Sequence, residues 1–506
     1  SIKSWMPLFV LKPMTGMLNY DLNFLVRPPE RGGIELTLSS DLTGVEIDVP
    51  APFGKTAEQK IPYQMSINKN RDLRVSFKYG DLANGVMSLE EGLLKRGQIY
   101  LGSVRAYLPS DDGLNITGNI AHNLNAKAWW DLWADIRPEE TPATKKKSAA
   151  NQSSVLSYIN ISAPDIDAWG QKMGASQIEG QHQWGRWNFA LDSQLMKGKI
   201  MLPDDLDNEV IEMTLDYIRM PVSETVASEE VRFGAKGSTD PLADFDPEII
   251  PSIDLKVAEI FLGTSNFGRW DMSIRQEQDI TQIQVNDSDS KNLTMKGDIH
   301  WSKDEQGHKT HLKLFRINTK NLGDTQRAFR KVPSIEAKNS KFDLDLMWQG
   351  SPAGFNYASL NGLIKVNIKD GVLVSDNAGA LKAFGVLNFN TISRRLKLDF
   401  SDLYEKGVVF DILRTRLAIE DGMVNFADPL LIDGPAAKFQ STGWVDMNTE
   451  EIDQKLVVTF PLTSSLPLVA VLAGFAPQVA GAIYVTEKLI GEELERFTSA
   501  SYTIKG

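Results

Sequence analysis

The feature that most constrains this 506-residue chain is a period of two that runs through nearly all of it. In "RRLKLDFSDL", Leu396, Leu398 and Phe400 fall on one side of an extended backbone, and Arg395, Lys397 and Asp399 fall on the other. Successive side chains of a strand point to opposite faces, so this is the signature of a half-buried strand. "DLRVSFKYGD" repeats it with Leu73, Val75, Phe77 and Tyr79, and "SKFDLDLMWQG" with Phe342, Leu344, Leu346 and then Met347 or Trp348. "GLIKVNIKDG" does so with Leu363, Val366 and Ile368 after one slip in phase, and "KLVVTFPL" with Leu456, Val458 and Phe460. Gly, Asn and Asp turns such as "KDG", "EDG" and "DDG" bound such runs. A strand about every ten residues, without intervening helical patterns, predicts antiparallel meanders rather than βαβ units.

Helical spacing is scarce. "AKAWWDLWADI", from Ala126, places Trp129, Trp130 and Trp133 at helical intervals, and "DIDAWGQKMG" reads as a shorter relative. "NTKNLGDTQRAFRK" is a third helix, and the stretch from Leu466 to Gly491 a fourth. A sheet with one apolar face must bury it. With so few helices, three solutions remain: a second sheet, closure into a barrel, or a groove filled by an apolar ligand.

Two polar segments divide the chain. "RPEETPATKKKSAANQSS" predicts a disordered loop near 138–154. A longer one predicts a linker at 221–250, separating a β segment over 1–220 from a C-terminal β module over 251–506. Within that module a helical hairpin is expected over 464–498 and a final strand over 499–506.

With 66 acidic against 54 basic residues the net charge is −12, which argues against nucleic acid and supplies no polybasic handle for anionic lipid. The absence of cysteine excludes disulfides and thiolate-bound metals. Short motifs give no cofactor or catalytic centre. "VPAPFGKT" ends like a phosphate loop, but Val49 stands where the first glycine belongs, and Pro50 and Pro52 remove amide donors. It reads as a rigid proline turn. His308 and His311 in "HKTH" fall on opposite faces of a strand, so no metal site is expected. "NDSDSKN" lacks the glycine and terminal glutamate of a calcium loop, and no G-x-S-x-G elbow occurs. The tryptophans at 129–133 suit either a sugar platform or a plug at the end of a sheet, the plug being the simpler reading.

From Leu466 to Ile483 a single polar side chain, Gln478, interrupts the apolar run. A membrane span needs about 20 apolar residues in one helix. Here Gly474 and Pro477 break the run, with Ser464 and Ser465 placed to cap the first piece. A hairpin of two short helices is expected, with Leu466, Val469, Leu472, Phe475, Val479 and Ile483 on its apolar side.

"SSDLTGVEIDVPAPFGKTAEQKIP" resembles a segment of the large YhdP-type proteins of the AsmA-like family, through Ser40, Asp41, Leu42, Gly44, Pro50, Pro52 and Lys55, with Val49 in place of the usual leucine. The resemblance is strongest after about residue 340, through Gly371, Gly379, Leu381, Arg395, Asp399, Phe400, Asp402, Gly407, Asp411, Gly422, Gly434, Pro435, Gly443 and Asp446, and continues to "SYTIKG". It implies a long twisted antiparallel sheet curled into an elongated apolar groove. It implies a protein of the Gram-negative periplasm, tethered to the inner membrane by an N-terminal helix without counterpart here, as expected of a C-terminal fragment. The implied activity is phospholipid movement between inner and outer membranes, with no enzyme chemistry and no cofactor. On that reading Leu396, Leu398, Phe400, Val408, Phe410, Ile412, Val458 and Phe460 line the groove, and the terminal hairpin docks on the outer membrane. A closed, dry envelope spacer is the main competing expectation. Lipopolysaccharide transport and a glycan-active enzyme stand behind it.

Overall fold

The computed structural model describes residues 13–28, 33–70, 72–136, 155–168, 170–220, 240, 242–262, 265–290, 292–328, 332–374, 408–435, 437–461 and 497–506. The protein is mostly β and divides into two compact units, Ser1–Met220 and Pro221–Gly506.

In the first unit a ladder of twelve strands runs from Asp21–Val26 to Ile211–Met220. Tight turns set its register. Glu91-Gly92 and Trp184-Gly185 have φ of 53° and 85°, and of 51° and 77°. Two consecutive positive φ values are what the mirror-image hairpin turn requires, and glycine supplies the second without strain. The ladder is not antiparallel throughout, as the spacing had predicted. Leu93–Leu101 runs parallel to Gly113–Asn119, which runs parallel to Leu156–Ala163. The irregular connection over 102–112 replaces the helix that such a crossover usually uses. Buried Asn84 and Gln98 pin it: Asn84 Nδ2 donates to Val104 O at 2.7 Å, Ala106 N–H donates to Asn84 Oδ1 at 2.6 Å, and Tyr107 N–H donates to Gln98 Oε1 at 2.8 Å.

The helix α1 (Ala126–Ile136) forms as its spacing predicts, capped by Asn125, whose Oδ1 accepts from Ala128 N–H at 2.9 Å. "DIDAWGQKMG" is not a helix. Its residues form the short strands Ile166–Ala168 and Gln171–Lys172, because Ile166 packs into a small core with Ile120, Leu124 and Ala163.

The second unit carries another twelve-stranded ladder, from Ile253–Leu262 to Phe497–Lys505, antiparallel throughout. Its last strand starts at Phe497, two residues inside the span expected to be helical; the rest of that span, 464–496, lies outside the described residues, as does the loop near 138–154. "KDG" is not a turn: Asp370 and Gly371 lie inside the strand Asn361–Leu373, with Asp370 at φ 53° and the register the same on either side of it. Helix α2 (Leu322–Ala328) covers one end of the sheet through Leu322.

Residues 240 and 242–250, expected as linker, are instead fastened to the strand ends of this unit. Ser351 donates to Asp240 through N–H at 2.7 Å and Oγ–H at 2.6 Å. His308 accepts from Trp301 Nε1–H at its Nδ1 and reaches Ala243 O through Nε2, both at 3.0 Å, while Phe245 stacks on Trp301.

Candidate functional site

The register of the first ladder aligns one residue from every strand in a single cross-strand row. In order across the sheet it reads Leu22, Leu38, Met65, Phe77, Gly85, Ile99, Ile116, Ile159, Gly180, Phe189, Ile200 and Met213. All twelve are apolar or glycine. At about 4.8 Å between strands the row spans roughly 50 Å. Leu22 is exposed, the two glycines are buried, and the other nine are half-buried. An apolar face reaches partial burial without a covering layer when its sheet curls toward itself.

Two glycines shape this row. A Cβ on Gly85 would stand 2.4 Å from Phe77 Cε1, and one on Gly180 would stand 2.4 Å from Phe189 Cε1. Each aromatic ring therefore lies flat over its neighbour's bare backbone, which shields the peptide and lowers the wall at that point. Trp187 extends the apolar surface by stacking on Phe189, with ring centroids 5.3 Å apart. His182 borders Trp187 and is held by Asp204, with Nε2 to Oδ2 at 2.9 Å.

The second ladder repeats the device. Ile253, Ile274, Ile283, Ile299, Leu312, Leu346, Gly362, Ile419, Val424, Val445 and Ile452 align across eleven strands. The opposite face carries charge, with cross-strand pairs Arg269–Asp287 at 2.6 Å and Arg316–Asp343 at 2.7 Å. One end of this unit differs, because fifteen buried side chains close over the sheet there. They include Phe410, Ile432, Phe439 and Val458, each at most 2 % exposed, and Leu322 from α2.

Of the residues expected to line a groove, Val408, Phe410 and Val458 belong to that sealed cluster. Ile412 does not share their face cleanly. Beyond Phe410 the buried positions change phase although the register does not: Leu413 is buried at 6 % and Ile412 is half-buried. Phe460 lies in the strand Ile452–Pro461, and Leu396, Leu398 and Phe400 lie outside the described residues. So do all six apolar hairpin positions, Leu466, Val469, Leu472, Phe475, Val479 and Ile483. The rows of the first unit were missed as a site although their alternation is legible. What could not be seen was that they align in register.

The other motifs have structural roles. Lys55 of the phosphate-loop look-alike is 4 % exposed, and its ammonium donates to the carbonyls of Leu42 at 2.9 Å, Thr56 at 2.7 Å and Val45. It is fully engaged in holding its own loop. Trp129 packs edge-on against Phe53 at 5.8 Å, while Trp130 is 54 % exposed. His308 and His311 part as expected: His311 pairs with Asp345 at 2.8 Å. No three metal-capable side chains cluster among the described residues. A cleft of about 850 Å³ opens at strand ends beside Tyr100, Asn119, Ser162 and Gln177, away from the apolar row. Among the described residues no helix is long and apolar enough to cross a membrane.

A protein whose main organised surface is a continuous apolar row, rather than a cluster of reactive groups, has recognisable relatives. The chain is 25 % identical over 259 residues to the Intermembrane phospholipid transporter YhdP of Escherichia coli (strain K12). That alignment covers 51 % of this chain and 20 % of the relative, so the chain spans only about a fifth of its length. The sequence profile of the family described as YhdP protein matches residues 1–506. The chain belongs to the YhdP family.

Proposed function

We propose that this chain forms part of a periplasmic conduit for phospholipid between the inner and outer membranes, with the acyl chains shielded along the apolar rows. The observation that supports it best is the unbroken row from Leu22 to Met213, apolar or glycine on every strand and half-buried at nine of its twelve positions. Each CH₂ kept from water is worth about 0.8 kcal/mol, so a bare acyl chain is strongly excluded from an aqueous gap. A row in which each side chain abuts the next lets the chain slide without leaving apolar contact. Such transfer needs no covalent step, which accords with a site built of hydrocarbon rather than paired carboxylates or nucleophiles. The printed name of the relative, an intermembrane phospholipid transporter, supports the same cargo. The net charge of −12 favours it over a lipopolysaccharide rich in phosphate. Tethering to the inner membrane and docking on the outer one through the 464–498 segment complete the proposal from sequence.

A photoreactive residue at Ile116 or Phe189 tests it, with Thr117 on the opposite face as the control. Phospholipid adducts are expected at the first two positions in cells and not at the third. Equal labelling at all three, or none where a known lipid carrier labels, overturns the reading. The sealed cluster around Phe410 supports the spacer reading for that end of the second unit alone.

A further inference from the structure

The cleft of about 850 Å³ in the first unit opens on the face that the apolar row does not use. Its floor is a row of its own. Asn119, Ser162, Gln177 and Asp192 pair residue to residue on four successive strands. Each stands three residues from its strand's member of the apolar row, so all four share the opposite face. At about 4.8 Å between strands this floor is roughly 14 Å long. Tyr100 flanks it, the crossover pinned by Asn84 borders it through Ser103 and Val104, and Ile120 and Ala163, each 5 % exposed, give it an apolar end.

The floor offers hydrogen bonding without free charge. The side chains of Tyr100, Asn119 and Ser162 make no hydrogen bond to the described residues, and Gln177 makes one long one, to Asn160 Oδ1 at 3.5 Å. Asp192 is already paired with Lys197 at 2.6 Å, so the floor presents no lone charge to an ionic ligand. An extended peptide has no edge to join, because each floor strand is paired on both sides. A neutral sugar meets every one of these features. Its hydroxyls exchange hydrogen bonds with amides and hydroxyls, and its C–H face rests on a tyrosine ring. An acetamido substituent turns its methyl toward Ile120 and Ala163 and keeps an N–H and a carbonyl for Asn119 and Ser162. The advance per sugar of an extended β-1,4-linked chain is close to the strand spacing, so successive rings meet successive strands. We propose that this cleft binds a β-1,4-linked glycan carrying N-acetyl groups, laid across the four strands from Asn119 to Asp192. The inference does not rest on the transport reading, which assigns lipid to the other face.

The full chain is titrated calorimetrically with triacetylchitotriose and with cellotriose, which has the same backbone and no acetamido group. Wild type is expected to bind the first about fivefold more tightly than the second, the weight of one hydrogen bond. Asn119→Ala and Ser162→Ala are each expected to weaken triacetylchitotriose binding by a similar factor, and Trp130→Ala, on the exposed side of α1, to leave it unchanged. Asn119 is exposed, so its variant reads binding even where Ser162→Ala lowers the melting temperature. No binding of either sugar by wild type, equal affinity for the two, or unchanged binding in Asn119→Ala overturns the proposal. Loss of binding in Trp130→Ala also overturns it, by placing the sugar on the helix. Each of these outcomes leaves lipid crosslinking at Ile116, and with it the transport reading, untouched.

Discussion

The two units use the same device to opposite ends. In Ser1–Met220 the aligned apolar row stays half-buried from strand to strand, and its sealed cores are small clusters such as Leu42, Val45 and Ile47 at the strand ends. In Pro221–Gly506 an equally regular ladder leads into fifteen side chains packed to near-zero exposure. Strand pattern is alike in both. What differs is cover: in the second unit α2 brings Leu322 into the cluster and Phe410, from the strand Val408–Glu420, lies over Gly371, whereas among the described residues no such cluster runs along the row of the first. Alternation therefore produces an apolar face but does not say whether the face is a core or a conduit.

The sharpest test of that contrast is truncation of matched aromatics. Phe410→Ala should cost about 3–5 kcal/mol in urea unfolding, since a sealed site leaves a cavity. Gly371→Ala should cost about 1–3 kcal/mol, because its Cβ would meet Phe410 Cζ at 2.4 Å where the ring has nowhere to go. Phe77→Ala, on a half-buried ring, should cost only about 1–2 kcal/mol while reducing phospholipid crosslinking at Ile116. Should Phe77→Ala prove as destabilising as Phe410→Ala, the first unit has a closed core and the contrast collapses.

Acid offers a subtler probe of the second unit. Burial pushes the Asp240 carboxyl up, but donation from Ser351 and Leu242 outweighs it and holds the group below the usual carboxylate range. A folded-state value below the unfolded one contributes stability that is complete above the unfolded value and is lost as pH falls through the folded one. Amide exchange at Ser351 and Leu242 should accordingly quicken in that acidic window, ahead of the cluster around Phe410. Asp240→Asn should bring the fast exchange to neutral pH. The smallest effect is expected at Trp184, 93 % exposed on its turn: Trp184→Ala should change stability by under about 0.5 kcal/mol.

Much of the fold is legible in residue pattern. The strands around Val75, Leu344 and Val458, the helix holding Trp129, and the proline turn before Lys55 each follow from local chemistry that tertiary contacts do not reverse. The failures share one cause. "KDG" carries turn residues yet continues a strand, because Gly371 is needed flat beneath Phe410, whose strand lies far along the chain. "DIDAWGQKMG" has helical spacing yet splits into strands, because Ile166 has a core to join. Parallel pairing of Leu93–Leu101 with Gly113–Asn119 depends on Asn84 and Gln98 satisfying the crossover's backbone, which no period reveals.

The site divides the same way. By itself the sequence determined that the chain makes amphipathic strands with one apolar face and too few helices to cover it, because side-chain alternation is a property of each strand alone. Tertiary structure decided which of those residues stand in line, and where Phe410 and Val458 are sealed while Ile116 and Phe189 are not. Register, curling and cover depend on pairs of residues distant in sequence, and these exist only once the sheet has closed around its own face.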